Sequence, residues 1–365
     1  MNSSKFNELY KKFGYRKFKM SKFEPYDLYA DYRDFLTNNQ LITFTDFDGT
    51  LLALKPDITL SIIKNNTASE EKVYYNESIY RSKENHYREI PQVGVECVGH
   101  IDAYCEAEVV MLAAESMALI SDQYVIRVSD VSLLRAYLSA MNLSERLTSE
   151  ILSLFASRNS AELEELLSSG RITLTAAAQL RDLMDLYLPF EEGVKAIRRF
   201  ATNDMLGNMI RHMEDVVNIL REFGILDKVF LDFSIVNSMD YYNGIVFQGA
   251  AAEIPFPVLY GGRYDPLPKK MGKDVEAVGF GVYLDEVDNY IGKPRRFDVD
   301  YLIVYDSKKE KDAGVRLARV MRKLEKAGFS VRSVRSDQLD NMQQRPRSRK
   351  IVNIEAAEKE VPGND

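Results

Sequence analysis

Residues Val73 to Gly99, VYYNESIYRSKENHYREIPQVGVECVG, restrict the fold more than any other stretch of this chain. They read as two antiparallel strands around a polar loop, with Arg81 at the end of the first and Gln92, Gly94 and Glu96 alternating along the second. Successive strand side chains point to opposite faces, so Gln92 and Glu96 share one face while Val93, Val95 and Cys97 share the other. A sheet containing this strand needs apolar cover on one side and is free to hold a polar ligand on the other.

The neighbouring segments supply both. LITFTDFDGTLLAL places two apolar runs around Asp48-Gly49, a hairpin signal, and residues 1–40 read as helical entry segments. Ala107, Val110, Met111, Ala114, Met117 and Ala118 recur at helical spacing and predict a core-facing helix, with Glu106 and Glu108 near its start, where the helix dipole favours acids. From Asp130 to about Phe223 the chain is nearly all amphipathic helix; Asn159 suits a cap followed by the first-turn acid Glu162, Gly170 suits the position after that helix, and Gly224 ends the last one. The Met and Leu stripes here read as core, and Glu162, Glu164 and Glu165 as a solvated face. Strand patterns return in VFLDFSIV, YNGIVFQGAA and FPVLYGG. From Phe297 onward, DYLIVY, a helix carrying Ala313, Leu317, Val320, Met321 and Leu324 on one side, a stop at Gly328 and FSVRSV predict a βαβ unit with parallel pairing. The tail from Ser336 is polar and is expected to be loosely ordered at its end.

Several of these segments resemble the signatures of class II aminoacyl-tRNA synthetases, in order along the chain. Val73 to Gly99 resembles motif 2, and QVGVE is similar to the Q-x-G-x-E of the histidyl branch. LKPDIT at Leu54 to Thr59 resembles the amino-acid-binding R-P-E-x-T element, and MDYYNGIVF at Met239 to Phe247 the histidine-specific L-D-Y-Y-N-G-x-V-F element. GGRYD at Gly261 to Asp265 and VGFGVYLDEV at Val278 to Val287 resemble the next two, the latter being motif 3. The resemblance spans roughly residues 10–290. It implies an α+β fold: a class II synthetase-like antiparallel sheet flanked by helices, with a helical insertion and a small C-terminal α/β unit. The corresponding divisions are 1–128 and 225–292 for the two halves of the core, 129–224 for the insertion, and 297–365 for a partial anticodon-binding-like unit with a polar tail.

By the same resemblance the chain carries a histidine pocket. Asp57, Thr59 and Gln92 would hold the ammonium group, Glu96 and Tyr242 would meet the imidazole, and Tyr264 would wall the pocket, with Arg81 and Tyr241 completing the set. Adenylation needs more, because cations must stand where negative charge builds on the transferring phosphate. The arginine two residues before the D-Y-Y run is replaced by Asn237, and the closing arginine of motif 3 by Glu286. Each such stabiliser is worth ~3–4 kcal/mol when removed, so the two losses predict no histidyl-adenylate formation. Met20-Ser21 stands where the family has the motif 1 proline, at the dimer interface.

FEPYDLY, TLLALKPDITLSIIKN and YYNESIYRSKENHYREIPQVGVE are closer to a non-catalytic branch, the regulatory subunits of ATP phosphoribosyltransferase. That resemblance implies a protein of histidine biosynthesis that binds histidine, needs no cofactor and assembles with the short-form catalytic subunit as a homodimer within a hetero-octamer. An active histidyl-tRNA synthetase is the alternative. Asp46-Phe47-Asp48-Gly49-Thr50 also fits the nucleophile motif of haloacid-dehalogenase-type phosphatases, a third reading that lacks the late acidic pair for Mg²⁺.

Composition narrows the remaining classes. The net charge of −7 disfavours a large nucleic-acid footprint, and no apolar run approaches the ~20 residues of a membrane span. The N-terminus lacks the apolar core of a secretion signal, so a cytoplasmic protein is expected. Cys97 and Cys105 fit no zinc spacing and read as reduced and structural, and the dispersed His86, His100 and His212 predict no metal site, with His100 and His212 standing alone. The GFG at Gly279 to Gly281 lacks the context of a nucleotide loop.

Overall fold

The computed structural model describes residues 3–36, 41–67, 69–83, 86–235, 241–291, 297–307, 312–339, 342 and 345–360. The chain divides into two compact units, Met1–Ile291 and Gly292–Asp365.

The first unit begins with α1 (Ser4–Lys12), β1 (Arg16–Lys17), β2 (Phe23–Pro25) and α2 (Tyr26–Asp31), so the entry region mixes helix with short strands. The hairpin signal at Asp48-Gly49 is realised: β3 (Thr43–Thr45) and β4 (Leu51–Leu54) pair antiparallel, and β4 also pairs with β2. After α3 (Thr59–Asn65) come the two long strands of the opening segment, β5 (Glu71–Lys83) and β6 (His86–Gly99), antiparallel throughout.

The predicted core helix is α4 (Ala103–Ala118), started by Asp102, whose carboxylate accepts the Cys105 N–H at 2.9 Å. It differs from the expectation at Ala118, which is exposed; Glu106 and Glu108 stand near the helix start as expected, and both are buried. The reason is that α4 is covered on nearly every side, so its acids persist only because cations meet them: Lys72 bonds Glu108 at 2.7 Å.

Next come β7 (Tyr124–Asp130), α5 (Val131–Ala140), α6 (Glu145–Ser157), α7 (Ser160–Ser168), α8 (Leu174–Met184), β8 (Tyr187–Pro189), α9 (Phe190–Ile197) and α10 (Asp204–Glu222). Polar caps fix where these helices start; Asn159 accepts the Glu162 N–H at 3.3 Å, and Gly170 and Gly224 take the left-handed conformation past two helix ends. The helical segment shares one apolar cluster with the sheet, running from Val95 and Phe280 through α4 to Leu133, Phe155 and Leu220. β8 interrupts the helices and hydrogen-bonds onto the sheet edge.

The unit closes with β9 (Val229–Asp232), β10 (Ile245–Ala251), β11 (Leu259–Arg263), α11 (Pro266–Lys270), β12 (Glu276–Tyr283) and α12 (Leu284–Tyr290). The nine-stranded sheet runs β1-β5-β6-β12-β11-β10-β7-β9-β8, antiparallel except where β1 meets β5 and β7 meets β9. This is the mixed α+β architecture expected from the sequence. Register places Glu96 opposite Gly279, Gly279 opposite Gly262, Gly262 opposite Val246 and Val246 opposite Ser129, which puts all five on one face. Val93, Val95, Val278, Phe280 and Val282 occupy the other face, in the cluster with α4.

The second unit is β13 (Val299–Tyr305), α13 (Ala313–Lys326), β14 (Val331–Arg335), α14 (Ser336–Leu339), β15 (Ser348–Asn353) and α15 (Ile354–Glu360). The predicted βαβ is present, with β13 and β14 parallel. The tail contributes more than the βαβ read from the sequence: β15 adds a third parallel strand to β13, and Ile354 and Ala357 of α15 are buried with Leu317 and Leu324 of α13. A few apolar residues suffice because α13 already offers a half-covered face. Residues 361–365, where loose order was expected, lie outside the described residues.

Candidate functional site

Glu96 is the centre of the site. It is 2% exposed on β6, and its carboxylate accepts hydrogen bonds from Thr59 Oγ1 at 2.9 Å and from the Tyr264 hydroxyl. Thr59 comes from the first turn of α3 and Tyr264 from just beyond β11, so the three predicted residues converge from separate elements. Burial raises the Glu96 pKa to about 8, with Asp57 adding to the rise, while the bonds from Tyr264 and Thr59 oppose it.

The floor beneath is made of glycine. A Cβ on Gly279 would lie 1.7 Å from Glu96 Oε2, one on Gly262 would lie 2.7 Å from the Tyr242 ring, and one on Gly94 would lie 2.0 Å from the Phe280 carbonyl. Gly279 and Gly281 of the GFG run therefore sit in a strand and make room for neighbours across the sheet. Tyr75, not singled out from the sequence, covers this floor and donates to the Phe280 carbonyl at 3.1 Å. Its position on β5 opposite Gly94 was readable from the alternation once the hairpin register was known.

Tyr241, Tyr242 and Tyr264 form an aromatic wall, with ring centroids 4.8 Å apart for the first pair and 5.4 Å for Tyr241 and Tyr264. Burial holds all three phenols well above their usual range, so they act as neutral hydroxyl groups near pH 7.

The other predicted residues that the structure describes take different roles. Asp57 Oδ1 accepts the Leu60 N–H at 3.0 Å, and Oδ2 pairs with Arg81 at 3.4 Å. Arg81 Nε also donates to the Pro56 carbonyl at 2.7 Å, tying the end of β5 to the residues that precede α3. Gln92 is buried on the Glu96 face, two strand repeats or roughly 13 Å away. Glu286 lies half-buried on α12; burial chiefly, then Tyr283 and the Glu286 charge, raise the pKa of Tyr260 against the opposing Arg127. Asn237 lies outside the described residues.

Two segments needed more than the motif reading. Asn243 and Asp265 bind each other, Asn243 Nδ2 donating to Asp265 Oδ2 at 2.9 Å and the Asp265 N–H to Asn243 Oδ1 at 2.9 Å. Both were inside the quoted motifs, but only their pairing shows that they lock the tyrosine-bearing segments together. His212 does not stand alone as expected; its Nε2 lies 2.8 Å from Glu106 Oε2, and His100 Nδ1 lies 3.5 Å from Glu276.

The Asp46-Phe47-Asp48 motif falls in the turn between β3 and β4, where Asp48 accepts the Thr50 N–H at 2.9 Å and Gly49 takes φ +88°. An antiparallel hairpin tip with Phe47 fully exposed is not the end of a parallel strand that a phosphoaspartyl nucleophile requires. Among the described residues there is no group of three His, Cys, Asp or Glu placed to hold a metal ion, and no helix is long and apolar enough to cross a membrane.

A family model described as histidyl-tRNA synthetase matches residues 2–287. The chain belongs to that family. Among curated relatives, an ATP phosphoribosyltransferase regulatory subunit from Oceanobacillus iheyensis is 26% identical over 323 residues, covering 86% of this chain and 80% of the relative. A solved structure from Bacillus halodurans, described as an ATP phosphoribosyltransferase regulatory subunit/histidyl-tRNA synthetase, superposes with a TM-score of 0.76 at 22% identity, covering 96% of this chain and 92% of the other. A chain of the ATP phosphoribosyl transferase (HisG:HisZ) complex from Thermotoga maritima gives a TM-score of 0.62 at 17% identity, covering 78% and 97%. The two structural likenesses establish the class II synthetase-like fold.

Proposed function

We propose that this chain is a regulatory subunit of ATP phosphoribosyltransferase in histidine biosynthesis, a non-catalytic member of the synthetase family whose pocket senses histidine. The observation that carries this reading is the pairing of an intact ligand end with an altered nucleotide end. Glu96 stands between two hydroxyl donors in a glycine-floored cleft, while Glu286 occupies the place of a motif 3 cation. A buried carboxyl poised near neutrality accepts an imidazole N–H, and the tyrosines supply flat walls for the ring. Asp57, Thr59 and Gln92 receive the ammonium group. A carboxylate at 286 repels the triphosphate that an adenylating enzyme must hold, and Asn237 removes a second positive group. No cofactor enters this function.

The subunit acts by assembling, as a homodimer within a hetero-octamer, with the short-form catalytic subunit in the cytoplasm. Histidine shifts the catalytic partner only through a difference in affinity between two states of the assembly. Co-purification with a short-form catalytic subunit, with native mass measurement of the complex, tests the partner; two separate species would refute it. Calorimetric titration with histidine tests the pocket: we expect binding by the wild type and none by Glu96→Ala. The synthetase name of the family model favours one rival, an active histidyl-tRNA synthetase. Histidine-dependent ATP–pyrophosphate exchange would establish that rival in place of our reading.

A further inference from the structure

A largely buried ion cluster lies on the α4 face of the sheet, opposite the face that carries Glu96. Its hub is Arg263, the residue before Tyr264. The guanidinium donates to Glu106 at 3.1 Å, to Asp265 at 2.9 Å and to the Ile101 carbonyl at 3.1 Å, and pairs with Glu276 at 2.7 Å. One cation thus faces three carboxylates drawn from α4, from the end of β11 and from β12. Buried charge of this kind is costly unless further positive groups meet it.

His212 on α10 meets it. Its imidazole bonds the second oxygen of Glu106, while the first takes Arg263, so Glu106 bridges the two cations. The charged groups facing His212 are Glu106 from α4, Asp130 at the end of β7 and Arg263 from β11. The bond to Glu106 holds the imidazolium above its ordinary range against the opposing effect of burial. Burial, and Glu106 among the neighbouring charges, push Asp130 up to about 6.

The cluster reaches the pocket through two short segments. Asp265 receives Arg263, Asn243 and the Ala277 N–H, and the Asn243 N–H donates back to the Arg263 carbonyl at 3.0 Å. These bonds fix residues 241–243 and 263–265, which present Tyr241, Tyr242 and Tyr264 to the ligand cleft. We propose that His212 is a positioning residue for the pocket, its protonated ring holding these two segments in place through Glu106 and Arg263. That this tunes ligand affinity rests on the histidine-sensing reading; that it holds the two segments does not.

The sign follows from linkage. A histidine whose pKa is raised by folding contributes fully below its unfolded value of about 6.5, and the contribution is lost as pH rises through the folded value. Hydrogen exchange of the full-length, ligand-free chain provides the test, followed on peptides covering 241–246 and 259–267 and corrected for intrinsic rates. In the wild type, exchange of both peptides should accelerate as pH rises through the His212 titration. His212→Gln should exchange them roughly three- to tenfold faster at pH 6, show no such step, and converge with the wild type above the His212 titration. His212→Lys, which keeps a cation beside Glu106, should restore slow exchange with no step. Unchanged α6 and α13 peptides report that each variant is folded; should the Gln variant not fold, the wild-type step and its absence in the Lys variant decide alone.

Equal exchange in wild type, Gln and Lys variants across the pH range would overturn the positioning role. A histidine titration of the same proteins then separates the two ideas. Segment loosening in His212→Gln without histidine binding by the wild type would strike only the sensing function. With both intact, the Gln variant should bind histidine roughly three- to tenfold more weakly at pH 6 and the Lys variant nearly as wild type.

Discussion

The two faces of strand β6 use the same backbone for opposite purposes. On one, Val93 and Val95 pack with Phe280 and α4 and leave no room; on the other, Gly94 and Glu96 look across to Gly281 and Gly279, where side chains have been withheld. A single alternating strand can therefore separate stability from ligand chemistry, with substitutions on each face giving different readouts. The sharpest way to break this division is Phe280→Ala, which should cost ~3–5 kcal/mol in urea unfolding. A loss below about 1 kcal/mol would mean that the apolar face is not the load-carrying side.

Gly279→Ala addresses the other face. Its new methyl group collides with the Glu96 carboxylate and with the Val95 carbonyl, so the histidine binding proposed above should weaken more than tenfold and stability should fall by about 1–3 kcal/mol. Binding retained at wild-type strength would show that the glycine floor has no part in the site. Glu96→Gln sharpens the comparison through pH. The folded protein keeps the Glu96 proton up to about pH 8, whereas the unfolded chain releases it near 4.5. Between those values the folded state binds the extra proton, so this group makes the wild type less stable as pH rises. The Gln variant should lack that decline and gain about 1–2 kcal/mol over the wild type at pH 9, measured by thermal melts. An unchanged pH profile would place Glu96 in water rather than in the core. The smallest effect expected is that of Thr59→Val, about 0.5–1.5 kcal/mol of stability, with Glu96 titrating still higher once its donor is gone.

Much of the first unit was legible because its information is local. Period-two alternation gave β5 and β6, Asp48-Gly49 gave the hairpin, and the polar caps at Asn159 and the glycines at 170 and 224 marked helix ends that the structure reproduces. Resemblance gathers Thr59, Glu96 and Tyr264 without geometry, and the first and last both donate hydrogen bonds to Glu96. What escaped was either too short or too distant. β8 is three residues ending in proline, below any periodic signal. β15 is an edge strand whose Arg349, Lys350 and exposed Ile351 disguise the alternation. The His212 and Glu106 pair joins residues 106 positions apart, and nothing in the spacing of either could announce it.

Strand order carries a consequence for how the molecule is made. β6 lies beside β12, so Glu96 acquires its neighbour Gly279 only after almost the whole first unit has left the ribosome. Until then, one edge of β6 stays open, and such nonlocal closures are slow and prone to sticking between chains. Nascent chains ending short of Glu276 should therefore be the species that chaperones hold.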